Sequence, residues 1–268
     1  SVYSRAGRFD QAVAHYTKAL QAGKGDTRGA AFFLMGLGYA YSRKNKHTDA
    51  LHCLNQLLTA FGDDGVRPEV LTHISRTWLA KGNLKKSEEV CLEALEQAKS
   101  LERGRVEAAI RNQLGEIRWV QGRWTESLEC QSAALDLLPD DGEYFLKSRI
   151  AYGMARIHLG RGDRERCYKY LEDALYEAQT CGDQVFATEV QNHIGEIFER
   201  AGELDRAQEI FFESTKTAER LDQQPVVALG CLNQGRLLVK RGRTVEAVDY
   251  LTRARRLFRD CRLPWGVG

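Results

Sequence analysis

One stretch, residues 192 to 212 (NHIGEIFERAGELDRAQEIFF), reads as the end of a helix, a turn centred on Gly202 and the start of a second helix, and close copies of it recur along the chain. The residues equivalent to Gly202 are Gly7, Asn45, Gly82, Gly122, Gly162 and Gly242, at spacings of 38, 37 and then 40 residues. A fixed period in this range means stacked copies of one supersecondary unit, each burying its apolar face against its neighbours. The expected fold is therefore all-α, a solenoid of stacked antiparallel helix pairs.

The units fall at about 31–67, 68–107, 108–147, 148–187, 188–227 and 228–268, after a truncated unit over 1–30, which makes about seven in a single domain. Within them apolar residues recur at intervals of three and four, the mark of amphipathic helices. Turn residues punctuate the joins at Gly23 and Gly25, Gly62 to Pro68, Gly104, Pro139 to Gly142, Gly182 and Pro225. Val2 to Gly7 reads as the last turns of a helix whose beginning is missing, and Leu263 to Gly268 as the approach to a further unit. With no initiator Met, the chain is expected to be a piece of a longer protein. A hydrophobic content of 43% with 28% charged residues supplies enough apolar surface to fold.

Several function classes drop out. The longest apolar runs are far below the roughly 18 residues of a membrane span, and no signal peptide is visible; the expected location is the cytoplasm. The seven cysteines include no C-x-x-C pair and mostly sit inside helical patterns, as reduced, buried, small apolar residues do. A net charge of +2 is too small to imply nucleic acid or an anionic membrane. Gly23-Lys24-Gly25-Asp26-Thr27 lacks the order of a phosphate-binding loop. His15, His47, His52, His73, His158 and His193 are scattered, with no zinc spacing, and no nucleophile elbow or dinucleotide fingerprint occurs. No enzyme activity, metal or cofactor is expected.

Columns of small residues carry the architecture. Seven residues before the turn stand Gly38, Ser75, Gly115, Ala155, Gly195 and Gly235; five after it stand Ala12, Ala50, Ser87, Ser127, Cys167, Ala207 and Ala247. A third column is Ala19, Leu57, Ala94, Ala134, Ala174, Ser214 and Ala254, with Leu57 the one large exception. Helices whose axes approach to about 8–10 Å need small side chains where they cross. Between them lie larger fillers, Leu37, Ile74, Leu114, Met154 and Ile194 against Tyr16, Leu54, Leu171, Phe211 and Leu251. The combination Leu37-Gly38-Tyr41, and Ile194-Gly195-Phe198 with Gly202, Ala207 and Phe211, resembles the tetratricopeptide repeat over essentially the whole chain. Arg118 and His158 depart from it in place of an aromatic, Gln234 in place of leucine, and Gln131 and Cys91 in place of the second aromatic. The 40-residue period resembles arrays in bacterial signal-responsive regulators and in polarity adaptors. The resemblance implies a right-handed superhelix whose first helices line a concave groove.

By that resemblance the groove carries Tyr39, Arg76, Glu116, Arg156, Glu196 and Arg236, alternating in sign from Arg76 onward. The alternation fits first a ladder of intramolecular ion pairs, and the presentation of paired charges to a ligand is compatible with it. It does not fit a groove of one sign. Around this column lie Thr72, His73, Asn112, Gln113, Tyr152, Asn192, His193 and Asn233, whose amides and rings suit hydrogen bonding to an extended peptide. Phe32 and Met35 make the N-terminal end apolar, and Phe32 is not expected to contact ligand. The last unit is net positive (Lys240, Arg241, Arg243, Arg253, Arg255, Arg256, Arg259 and Arg262 against Glu246, Asp249 and Asp260), without a nucleic-acid recognition motif. The expected partner is a protein or peptide segment, bound by an adaptor or scaffold. The alternative is a regulatory domain of a multidomain signalling or transcriptional protein, sensing a small-molecule effector or another domain of the parent chain. Nucleic acid and membrane partners are disfavoured, and self-association through the end repeats stays open.

Overall fold

The computed structural model describes residues 9–22, 27–61 and 65–261. The expectations placed on Val2 to Gly7, Gly23, Gly25, Gly62 and Leu263 to Gly268 lie outside the described residues. Among those described, all regular structure is helical: α1 (Phe9–Ala22), α2 (Thr27–Arg43), α3 (His47–Phe61), α4 (Arg67–Ala80), α5 (Leu84–Ser100), α6 (Gly104–Val120), α7 (Trp124–Leu135), α8 (Tyr144–Gly160), α9 (Arg164–Thr180), α10 (Gln184–Ala201), α11 (Leu204–Arg220), α12 (Gln224–Lys240) and α13 (Thr244–Asp260). Two compact units partition the chain, residues 1–157 and 158–268. In the first, α2 packs on α3, α4 on α5 and α6 on α7, while the leading helices α2, α4 and α6 also touch in sequence. In the second, α10 packs on α11 and α12 on α13, with α10 against α12. The fold is an all-α solenoid of helix pairs.

The turn within each pair needs a left-handed residue to end one helix and reverse the chain. Gly82, Gly122, Gly162, Gly202 and Gly242 supply it with φ of 73° to 84°, and Asn45 supplies it with φ 56°. Helix starts are then capped where the sequence allows: Asn83 accepts from the Lys86 amide, Asp163 from Arg166 and Asp183 from Phe186. Between pairs one expected turn shifts. Gly104 is the first residue of α6, and the reversal before it falls on Glu102, φ 52°. A side chain there carries the left-handed penalty that glycine avoids. Glu102→Gly is expected to stabilise the fold by up to about 1 kcal/mol, seen as a raised thermal midpoint; a lowered midpoint would count against this assignment of the turn.

Both small columns are buried, and the crossings they make are specific. Ser75 and Ser87 donate to each other's carbonyls at 2.8 Å, and Ser127 donates to the Gly115 carbonyl at 2.7 Å. Large second-helix side chains lie over the glycines themselves, sixteen residues on: Leu54 over Gly38, Gln131 over Gly115, Phe211 over Gly195 and Leu251 over Gly235. A methyl group built on Gly195 would stand 2.5 Å from the Phe211 ring, so the ring occupies the space that the missing side chain leaves. The residues that depart from the repeat pattern find substitutes for aromatic packing. The buried ring of His158 stacks on Tyr170 at 5.4 Å, Gln234 donates to Thr215 at 3.0 Å, and Arg118 donates to the Cys130 sulfur at 3.2 Å.

Ion pairs tie successive helix pairs together at their edges: Lys44 to Asp10, Arg103 to Glu69 at 2.6 Å and Arg123 to Glu88 at 2.8 Å in the first unit, and Arg241 to Asp205 at 2.6 Å and Arg253 to Glu219 at 2.5 Å in the second. Exposed pairs of this kind contribute roughly 0–1 kcal/mol each.

Candidate functional site

Leading helices place the charged column one residue per pair, but the side chains do not close into the expected ladder. Half-buried Arg76 on α4 points its Nε to the Gln113 amide oxygen, 3.1 Å away on α6. Arg156 on α8 lays its guanidinium over Trp119, 3.5 Å from the ring centroid, with Tyr152 at 5.6 Å. Between them Glu116, half-buried on α6, has no ion-pair or hydrogen-bond partner among the described residues. In the second unit Glu196 is joined not to Arg236 but to His193 at 3.3 Å and to the Asn233 amide at 3.5 Å. Burial opposes its charge, yet the bond and charge of His193, with Arg236 and Arg200 beyond, hold its carboxyl below the usual range. Arg236 pairs with Glu199, one turn further along α10, at 2.7 Å.

Glu199 and Trp119 did not stand out in the sequence. They lie three residues after Glu196 and Glu116, hence on the same helix face one turn later. The Glu199 carboxylate is 1% exposed and held by Arg236 and by Lys240 at 2.8 Å. Such a buried anion depends on its cations, because an unpaired charge in the interior is costly.

The polar residues around the column divide by burial. Asn192 is fully buried, donating to the Thr188 carbonyl at 3.1 Å and accepting from Ser214 at 3.2 Å, so it serves the interior instead of the groove. Asn233 is fully buried too, and Thr72 closes on its own helix through the Pro68 carbonyl. Asn112 is 4% exposed and its amide oxygen has no donor; Gln113 is fully buried, with its amide nitrogen lacking an acceptor. Tyr39, His73, Tyr152 and His193 remain partly open, and Tyr39, His73 and Arg76 line a cleft of about 20 Å³ beside Gly38, room for one water. A larger depression of about 540 Å³ lies on α3, among His52, Gln56 and Thr59, away from the charged column and without converging charges.

Burial, with the Arg76 charge added to it, lowers the His73 pKa to about 3. The ring is neutral in the folded chain, whereas an unfolded histidine takes up a proton near pH 6.5. Stability is expected to fall as pH drops from 6.5 toward 3, by up to about 1.4 kcal/mol per pH unit. Denaturant titrations of the protein and of His73→Gln across that range measure the difference; equal acid slopes would count against the desolvation of this half-buried ring beside Arg76.

The basic end is largely neutralised. Lys240, Arg241, Arg243 and Arg253 all reach carboxylates, and Arg259 lies 3.8 Å from Asp260. Arg255 and Arg256 are the exposed cations of α13 without a carboxylate partner among the described residues, and Arg262 lies outside them. No group of three or more His, Cys, Asp or Glu among the described residues is placed to hold a metal ion, and no helix described is long and apolar enough to cross a membrane.

Paired helices with small residues at each crossing, a left-handed turn after every leading helix and a period near 40 residues meet a sequence match at this point. The profile of the tetratricopeptide repeat family matches residues 1–51 and 35–101. Over residues 1–101 the chain is thus similar to the tetratricopeptide repeat. No curated protein matches the chain in sequence. Among solved structures, the Rap conjugation gene regulator of the plasmid pLS20, in complex with the Phr* peptide, superposes with a TM-score of 0.76 at 16% identity, over 97% of this chain and 72% of that one. BtubC from P. vanneervenii gives 0.63 at 17% identity, covering 95% and 92%, and the apo quorum sensor NprR from B. thuringiensis gives 0.61 at 12%, covering 96% and 87%. At such identities the likeness is one of fold. Buried polar atoms without a partner lie on leading helices, at Asn112, Gln113 and Asn233, and on trailing ones, at His47 and Gln131.

Proposed function

We propose that the chain is a protein-interaction module that takes an extended peptide or protein segment along the leading-helix face of its repeats. The observation that carries this reading is the state of Arg76, Glu116 and Arg156. They stand on three successive helix pairs, and none has a charged partner among the described residues. Tyr39, His73 and Tyr152 flank them. The fold likeness to a Rap regulator solved in complex with a peptide supports the same choice. Selection of random dodecapeptides displayed on phage, followed by hydrogen-exchange mapping of the best binder, tests it. Protection is expected on α4, α6 and α8 at this face. Protection confined to the trailing helices α3, α5 and α7 would sink the reading.

A regulatory role inside a longer protein is the second reading, favoured by the likeness to a conjugation gene regulator and to a quorum sensor. Native mass spectrometry of the protein from its own cells separates the two. A retained small molecule supports sensing, and a ligand-free protein that selects peptides supports the scaffold.

A further inference from the structure

The three unpaired charges prescribe more than the presence of a ligand. Arg76 gives its Nε to a neutral amide and Arg156 its guanidinium face to a neutral ring, so neither positive charge is cancelled. Glu116 stands between them on α6, and one turn before it the Asn112 amide oxygen also lacks a donor. Elsewhere on these helices Glu69 pairs with Arg103, and Glu107 with Arg111 at 2.6 Å. The face of the first unit thus offers plus, minus, plus, one charge per helix. Packed helices lie about 8–10 Å apart and an extended chain advances about 3.3 Å per residue, so a peptide crossing them moves about three residues from one helix to the next.

We infer that this face selects an extended segment with acidic, basic and acidic side chains three residues apart, acid-x-x-base-x-x-acid, with the basic side chain seated on Glu116. The acids meet Arg76 and Arg156, and the base adds the donors that Glu116 lacks. The order is palindromic, so it holds for either chain direction. Opposite charges brought together on a partly desolvated face give specificity, because a segment of reversed sign meets like charges at three places.

This inference rests on the peptide-binding reading above. Two displayed libraries, randomised at every other position, test it: acid-x-x-base-x-x-acid and base-x-x-acid-x-x-base. Binders are expected from the first alone, with Kd at least ten-fold below the best from the second. Glu116→Lys is expected to erase that preference, and Glu116→Gln to weaken the selected peptide about ten-fold while leaving the thermal midpoint unchanged, since Glu116 supports no ion pair in the fold. Equal enrichment from both libraries overturns the charge code and leaves peptide binding standing. No binder from either overturns both. A lowered midpoint in Glu116→Gln overturns the code as well, by showing that the carboxylate is engaged within the protein.

Discussion

Phe211→Ala is expected to destabilise the protein by about 3–5 kcal/mol, the range found when a buried aromatic is cut to alanine. Phe211 is fully buried, and its ring fills the space above Gly195. Nothing else is positioned to fill it, because the small residue facing the ring has no side chain with which to relax. The converse change, Gly195→Ala, sets a methyl group 2.5 Å from the ring and is expected to cost about 1–3 kcal/mol by overpacking. Together the two should cost less than their sum, since each relieves part of the other's defect. Phe212→Ala, one residue on but 52% exposed, is the control and should stay within about 0.5 kcal/mol. Urea titrations followed by circular dichroism measure all four. Additive losses would mean that the ring and the glycine do not share a site.

The second large effect is expected at Glu199. Its carboxylate is 1% exposed, whereas Arg236 and Lys240 are 43% and 50% exposed. The asymmetry decides which side of the cluster is fragile. Arg236→Ala with Lys240→Ala strands an anion in the interior and should cost about 3–5 kcal/mol. Glu199→Leu leaves two cations that can turn to water and should be near neutral. Denaturation of both variants measures this, and a larger loss in Glu199→Leu would reverse the assignment.

Sequence and structure agree where backbone geometry dictates residue size. Gly195, Ala207 and Gly202 sit at a crossing or a left-handed turn, where size and φ leave few alternatives, and their spacing made the repeats legible. The family profile stops at residue 101, and beyond that point lie Arg118, Gln131, His158 and Gln234, which change chemistry but not shape. Gln131 fills the place of an aromatic over Gly115, and His158 stacks as an aromatic would. Partners of long side chains were less legible. The spacing of Arg76, Glu116, Arg156 and Arg236 fixes where each Cα stands, but an arginine reaches a full turn along its neighbour. Gln113, Trp119 and Glu199 lay within that reach, and side-chain packing chose them. Asn192 shows a related limit: a polar residue expected to face the groove turned inward, where Ser214 and the Thr188 carbonyl completed its hydrogen bonds.

Cysteine burial has a use in following such a protein by fluorescence. Cys53, Cys91, Cys130, Cys167 and Cys231 are buried. Burial pushes the Cys91 thiol up to about 12 and the Cys167 thiol up to about 11, and few thiolates form at either. Cys181, in the turn between α9 and α10, is exposed, and Cys261 at the end of α13 is half-covered, with its thiol pushed up by burial and by Asp260. A maleimide dye added briefly at neutral pH therefore reacts first at Cys181, giving a single reporter on a helix-pair joint without engineering a cysteine-free background.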